Sequence, residues 1–188
     1  MQNNFKNIEF LKQNTTHDYE SFLKLPPMIP FSEEITDYLN ALSKEINKDP
    51  RIQKFPDVRT FSFFCRKANL LLLKKKYYDS SITKLGRGLV FHIAPSNVPV
   101  NFAFSLMISL LSGNSNIVRV ASKKFDQTEI IVNSINKLAQ VSQYSNISNR
   151  IIIVSYDRNS DATKEFSRDC DVRIIWGGDE TISQIREN

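Results

Sequence analysis

The sequence predicts an α/β fold: a parallel sheet of about four strands with helices on both faces, preceded by a helical segment. From residue 86 onward, short apolar runs alternate with longer stretches whose apolar residues recur at helical spacing. The short runs are mostly apolar, which is typical of parallel strands buried on both faces. The chain has 188 residues, 41% of them hydrophobic, so it can bury such a core.

The first 85 residues lack this alternation and predict a helical segment. The proline-rich stretch Leu25–Pro30 excludes a regular helix and predicts an extended entry segment. Ser32 is placed to cap a helix with an acidic first turn and an apolar stripe reaching Ile46. Asp57 is placed to cap a second helix, which ends near Lys76.

Strands and helices alternate over residues 86–188. The predicted strands are Leu89–Ile93, Asn116–Val120, Ile151–Ser155 and Val172–Trp176. The predicted helices are Val98–Ser112, Asp126–Gln140, Ser160–Ser167 and a segment from Asp179 onward, the first of them stopped by Gly113. Right-handed crossovers would join the strands into a Rossmann-like layered domain. We therefore divide the chain into residues 1–85, helical, and residues 86–188, a dinucleotide-binding domain.

Composition excludes several classes of protein. No apolar run reaches the roughly 18 to 20 residues that a membrane span needs, and the N-terminus lacks the apolar core of a signal peptide. We therefore expect a cytoplasmic protein. Cys65 and Cys170 have no metal-type spacing, so we expect no metal site and interpret both as core residues. The net charge of +5 is concentrated in residues 57–84, which we interpret as a solvated helix face that binds no nucleic acid.

The loop after the first strand holds an asparagine between two prolines. Ligands of open α/β sheets bind beyond the carboxyl ends of the strands, and the sequence there is Ala94-Pro95-Ser96-Asn97-Val98-Pro99. The prolines fix the backbone around Asn97, and a rigidly held amide can donate to a developing oxyanion. The alternative is that Asn97 caps the next helix.

The loops after the second and fourth strands suit a nucleotide. Arg119, Ser122 and Lys123 supply cations and a hydroxyl that can hold a ribose or a phosphate. Gly177-Gly178-Asp179 stands at a helix start, where paired glycines let a phosphate approach backbone N–H groups. Each signal is weak alone, and the GxGxxG fingerprint is absent.

Together these loops closely resemble the LuxC family, the fatty acyl-CoA reductases known from bacterial luminescence systems and similar to aldehyde dehydrogenases. The resemblance is carried by GRGLVFHIAPSNVPVNFAFSLMISLLSGNSNIVRVASK, residues 86–123, and by IIWGGDETISQIR, residues 174–186. It implies an aldehyde dehydrogenase-like fold that reduces an acyl-CoA, or another activated fatty acyl group, to the aldehyde. An acyl-cysteine intermediate and a hydride from NADPH are implied as well.

The resemblance also assigns roles to individual residues. It implies that Asn97 stabilises the oxyanion and that Arg119 contacts the adenosine ribose, where the superfamily usually has a lysine. It places Gly177-Gly178-Asp179 beside the cofactor pyrophosphate, and it adds Ala94-Pro95-Ser96 to the cofactor-binding residues.

The cofactor preference depends on one position. Many NAD-preferring relatives carry a glutamate where this chain has Ser122, which has no charge to repel a phosphate. Lys123 and Lys124 come directly after it, and a 2′-phosphate would gain charge-assisted hydrogen bonds from them. We therefore expect NADPH, unless both lysines point to solvent, where an exposed pair contributes little.

The family nucleophile is a cysteine well downstream of the Gly177-Gly178 turn, and neither Cys65 nor Cys170 matches it. The chain also stops within a helix. We therefore expect the N-terminal, cofactor-binding part of a longer enzyme, inactive alone. Two alternatives stay open: another aldehyde dehydrogenase superfamily enzyme, or a non-catalytic module that keeps the fold. The resemblance further favours a homo-oligomer and leaves room for an acyl-transferring partner protein.

Overall fold

The computed structural model describes residues 8–12, 18–157 and 160–186. These residues form a five-stranded sheet with helices on both faces. In chain order the strands are β1 (Glu9–Lys12), β2 (Leu89–Ile93), β3 (Ser115–Val120), β4 (Ile151–Ser155) and β5 (Val172–Ile175). Their order across the sheet is β1-β4-β3-β2-β5. The last four in that order are parallel, whereas β1 is antiparallel to β4. The predicted parallel strands are confirmed.

Strand β1 was not predicted, because it lies in the part assigned to helices. It is four residues long, mixed in polarity, and pairs Glu9 with Ser155 at the edge of the sheet. The register shifts between Phe10 and Lys12. A short edge strand needs only one neighbour, and nothing local in its sequence reveals a partner this far along the chain.

Helices cover both faces of the sheet. They are α1 (Tyr19–Leu23), α2 (Glu33–Ile46), α3 (Pro56–Phe64), α4 (Lys67–Tyr77), α5 (Asn101–Leu111), α6 (Asp126–Ala139), α7 (Ser145–Ser148), α8 (Ala162–Asp169) and α9 (Asp179–Arg186). Among the described residues, none of these helices has the length and apolar character that a membrane crossing requires.

Two predicted features of the helical segment are corrected. The single helix expected after Asp57 is two helices, because Arg66 adopts an extended conformation and interrupts the spiral. The Asn69 side chain then donates to the Phe64 carbonyl, 2.8 Å away, and satisfies part of the broken end. Asp57 does not cap α3: the helix begins at Pro56, whose missing N–H is not needed in the first turn.

The sheet separates two layers of core. Because successive strand residues point to opposite faces, Val118 and Ile153 pack against the layer that contains α2, α3, α5 and α6. Ile117 packs against the other layer, together with Phe22 of α1 and Phe166 of α8. Burial on both faces explains why β2, β3 and β4 are mostly apolar.

The connections create a crevice at one edge of the sheet. Strands β2, β3 and β4 follow one another in one direction, and then β5 returns to the free side of β2. The loops after β2 and β5 consequently lead to helices in different layers. Open α/β sheets bind ligands at such a reversal of strand order, beyond the carboxyl ends of the strands.

Candidate functional site

A cleft of about 890 Å³ opens at the carboxyl ends of β2, β3, β4 and β5. Its lining includes the predicted residues Ala94, Pro95, Ser96, Asn97, Arg119, Ser122, Lys123, Gly177 and Gly178. Of the predicted set only Asp179 is outside the lining, and it begins α9 directly after Gly178. The structure thus brings together three loops that are far apart in sequence.

Asn97 lies in the exposed turn between β2 and α5. The helix starts at Asn101 with Val100 at the capping position, so the alternative that Asn97 caps α5 is wrong. The Asn101 N–H instead bonds to the Val98 carbonyl at 3.1 Å, in a turn that precedes the helix. Among the described residues, the Asn97 amide has no hydrogen-bond partner, and it lines the cleft. Its donor group is therefore available to a ligand.

Arg119 is fixed at the end of β3 by contacts with the loop after β4. Its guanidinium carbon lies 4.9 Å from the centroid of the Tyr156 ring, and its Nη2 donates to the Tyr156 carbonyl at 3.2 Å. Ser122 Oγ donates to the same carbonyl at 3.1 Å. Burial raises the pKa of Tyr156 to about 12, which keeps the ring neutral. The two loops are thereby tied together beside the cleft.

Charges of both signs line the β3–β4 side of the cleft. Lys123 is exposed, with its ammonium 5.1 Å from the centroid of the Phe125 ring. Lys164 of α8 joins it, while Asp157 and Asp161 bring negative charge. These last three residues were missed from the sequence, because the loop after β4 carries no motif. The expectation that ligands bind beyond the carboxyl ends of the strands applies to β4 as well, and it would have pointed to this loop. Lys124 is exposed and is not part of the described lining.

The approach to α9 is open. A Cβ built on Gly178 would meet nothing within 4 Å among the described atoms, so packing does not require a glycine there. The Ile182 N–H bonds to the Gly178 carbonyl at 3.0 Å, and earlier N–H groups of a helix have no partner within it. The free space next to this backbone lets a ligand come close.

Trp176 was also missed as a site residue. It follows β5, lines the cleft with 43% of its surface exposed, and donates through Nε1 to Ser105 Oγ at 3.0 Å. Ser105 in turn contacts Nδ1 of the fully buried His92 at 2.8 Å. Burial lowers the pKa of His92 to about 4, so the imidazole is neutral at physiological pH.

Both cysteines lie away from the cleft. Cys65 is buried with its sulfur 3.6 Å from that of Met107, and burial raises the pKa of its thiol. Cys170 follows α8, half-buried, and its sulfur donates to the Ser167 carbonyl at 3.5 Å. Burial raises the pKa of this thiol too. Within residues 8–12, 18–157 and 160–186, no group of three His, Cys, Asp or Glu side chains could hold a metal ion.

Comparison with known proteins gives a family and a fold. The family model for acyl-CoA reductase (LuxC) matches residues 13–188. The glyceraldehyde-3-phosphate dehydrogenase GapN from Methanocaldococcus jannaschii, solved in complex with NADP, superimposes with a TM-score of 0.56 at 16% identity. The match covers 89% of this chain and 40% of that one. This shared fold agrees with the predicted α/β class.

A protein described as an aldehyde dehydrogenase, from Burkholderia cenocepacia, matches with a TM-score of 0.41 at 18% identity, over 71% of this chain and 29% of its own. The chain therefore spans less than half of either solved protein. No curated protein matches it significantly.

Proposed function

The chain belongs to the LuxC family of acyl-CoA reductases, and from that premise we propose that it is the cofactor-binding part of an enzyme that reduces a fatty acyl-CoA to the aldehyde with NADPH. The cleft carries this proposal. It lies where the strand order reverses, and it gathers the loops of β2, β3 and β5 that the sequence assigned to a dinucleotide.

The cleft fits a dinucleotide at two separate points. Arg119, held by Tyr156, and Ser122 suit a ribose at the end of β3. The open space at Gly178, next to the N–H groups that begin α9, suits the pyrophosphate. With these two points occupied, the remaining end of the cofactor would reach the loops after β2 and β5.

The absence of a carboxylate at Ser122 supports NADPH over NADH. Lys123 and Lys164 line the same cleft as Ser122, and both carry a charge that can pair with a 2′-phosphate. Asp157 and Asp161 line it as well and oppose this effect. The position that carries a carboxylate in many NAD-preferring relatives is Ser122, whose hydroxyl is directed to a backbone carbonyl.

Asn97 is the residue of this chain that we assign to the chemistry. NADPH supplies the hydride when it is bound. The Asn97 amide, free of other described partners and restrained by Pro95 and Pro99, would donate to the carbonyl oxygen as negative charge develops there. A donor already in place needs little reorganisation during the reaction, and removal of one such donor lowers turnover by about 10²- to 10³-fold.

The nucleophile is proposed to come from elsewhere in the enzyme. An acyl-cysteine requires a thiolate at the reacting carbonyl, but Cys65 and Cys170 have raised pKa values and lie outside the cleft. Residues 1–188 should accordingly bind the cofactor without reducing an acyl-CoA. The acyl-transferring partner and the homo-oligomer remain part of the proposal for the whole enzyme.

Calorimetric titration with NADPH and NADH tests the proposal. The 188-residue protein should bind NADPH more tightly than NADH, and Gly178→Val should weaken binding of both by more than about tenfold, because the new side chain enters the open space. The same variant should keep its thermal stability. If neither cofactor binds, or if Gly178→Val binds as well as the parent, the cleft is not the dinucleotide site.

A further inference from the structure

A line of hydrogen bonds runs from the cleft into the interior between α5 and the sheet. It begins at Trp176 Nε1, which lies 3.0 Å from Ser105 Oγ, and continues to His92 Nδ1 over 2.8 Å. His92 Nε2 lies 3.0 Å from Asn116 Oδ1, and Asn116 Nδ2 lies 3.0 Å from the Asn114 carbonyl. The line thus joins β5, α5, β2 and β3.

The chemistry of the groups gives the line one direction. An indole N–H can only donate, so Ser105 Oγ accepts from Trp176 and keeps its own proton for His92 Nδ1. At the other end, the Asn116 amide nitrogen donates to a carbonyl, which leaves its oxygen to accept from His92 Nε2–H. Every member is satisfied with a neutral imidazole. The indole is therefore held in one orientation.

An exposed tryptophan can be held in place without a chain of buried polar side chains behind it. His92, Ser105 and Asn116 are 0%, 4% and 0% exposed, and burying polar groups costs free energy unless each finds its partners. Apolar neighbours alone could have held the ring. A fully connected polar network instead fixes a specific geometry. Trp176 is the exposed member of this network, and it lines the cleft.

The position of Trp176 indicates which part of a ligand it meets. Its backbone N–H bonds to the Ile93 carbonyl at 3.0 Å, so it lies beside the loop that carries Asn97. Arg119 is at the end of β3, on the far side of β2 from β5. Under the proposed function, on which this inference rests, the adenosine ribose is at Arg119 and the reacting carbonyl is at Asn97.

We propose that the indole ring of Trp176 contacts the nicotinamide ring of the cofactor, and that Ser105 and His92 are positioning residues that fix the orientation of the indole. Offset stacking of two flat rings contributes free energy beyond the burial of their surface. A ring already fixed on the protein side loses little entropy when the second ring docks against it. The network would thus align the nicotinamide with the loop of Asn97.

Two probes separate this contact from the rest of the site. The first probe, NADPH, carries the nicotinamide. The second probe, 2′-phospho-ADP-ribose, has a hydroxyl in place of the nicotinamide and is otherwise the same molecule. In calorimetric titrations of the 188-residue protein, Trp176→Leu should weaken NADPH binding about tenfold and leave the affinity for the second probe unchanged. An equal loss for both probes, or no loss for either, would overturn the inference and leave the proposed function standing. Failure of the parent protein to bind either probe would overturn both.

The positioning role has its own readout, because Trp176 is the single tryptophan of the chain. Ser105→Ala should release the indole, which lowers the fluorescence anisotropy of Trp176 and weakens NADPH binding by about threefold. Ser109→Ala is the matched control, since it removes a buried hydroxyl from the same helix outside the line from Trp176 to His92. If both variants behave alike, the hydroxyl of Ser105 does not position the ring.

Discussion

Arg119 and Tyr156 join two neighbouring strand ends, with the guanidinium carbon 4.9 Å from the ring centroid and Nη2 bonded to the Tyr156 carbonyl at 3.2 Å. The cation is therefore pre-organised before any ligand arrives. A long side chain that is already ordered loses less entropy on binding than a free one. Arg119 can therefore bind a ribose or a phosphate at a lower entropic cost than an unrestrained arginine could.

Arg119→Gln should weaken NADPH binding about tenfold, because it removes a charge-assisted donor. It should also lower the free energy of unfolding by roughly 1 kcal/mol through loss of the contact with the Tyr156 ring. Calorimetric titration and chemical denaturation measure the two effects. Arg87→Gln is the control, since Arg87 is exposed and is not part of the described lining. Equal cofactor affinity in the two variants would show that Arg119 only stabilises the loop.

The two adjacent lysines provide a matched test of the cofactor preference. Lys123 lines the cleft and Lys124 does not, although both are exposed. Lys123→Ala should weaken NADPH binding by about threefold to tenfold at low salt, and salt should reduce the difference. Binding of NADH should change little, and Lys124→Ala should resemble the parent with both cofactors. A parent protein that binds NADH and NADPH equally would contradict the preference.

Local patterns were sufficient for the central strands but not for the contacts between them. Leu89–Ile93 is buried throughout, so its apolar run alone predicted β2. Glu9–Lys12 carries no such run, and its pairing with β4 depends on residues more than a hundred positions away. Strand prediction succeeds where burial makes the sequence itself distinctive.

The site divides in the same way. Asn97, Arg119 and Gly178 were found because each lies at the end of a recognisable strand or in the short loop that follows it. The bond of Trp176 to Ser105 joins residues 71 positions apart. Nothing next to His92 in the sequence reveals its bonds to Ser105 and Asn116. The start of α5 was placed too early, since the prolines around Asn97 form a turn before the helix begins at Asn101.

His92 should make the stability of the fold depend on pH. Burial lowers its pKa from 6.5 to about 4, so between these values the unfolded chain binds a proton that the folded chain does not. Titration of His92 therefore leaves the free energy of unfolding unchanged above pH 6.5. As the pH falls from 6.5 toward 4, it lowers that free energy by roughly 3 kcal/mol in total. Chemical denaturation from pH 7 to 4.5 measures it, in a His17→Gln background that leaves His92 as the single histidine.

The control for this prediction is His92→Gln in the same background. It should be less stable at pH 7, because the bonds to Ser105 and Asn116 are disturbed. Its free energy of unfolding should vary little between pH 7 and 4.5. An equally steep decline with and without His92 would mean that other groups titrate in this range.

Asn97→Ala separates the oxyanion role from a structural one. In the whole enzyme it should lower turnover by about 10²-fold or more, because the carbonyl oxygen loses a pre-placed donor as charge develops. NADPH affinity should change little.

The free energy of unfolding of the 188-residue protein should stay within about 0.5 kcal/mol of the parent, since Asn97 is exposed and α5 is capped at Val100. Val98→Ala, one residue away in the same exposed turn and not part of the described lining, is the control for a general disturbance of the loop and should retain most of the turnover. Steady-state kinetics and denaturation decide the matter: unchanged turnover in Asn97→Ala, or an equal fall in both variants, would remove Asn97 from the reaction.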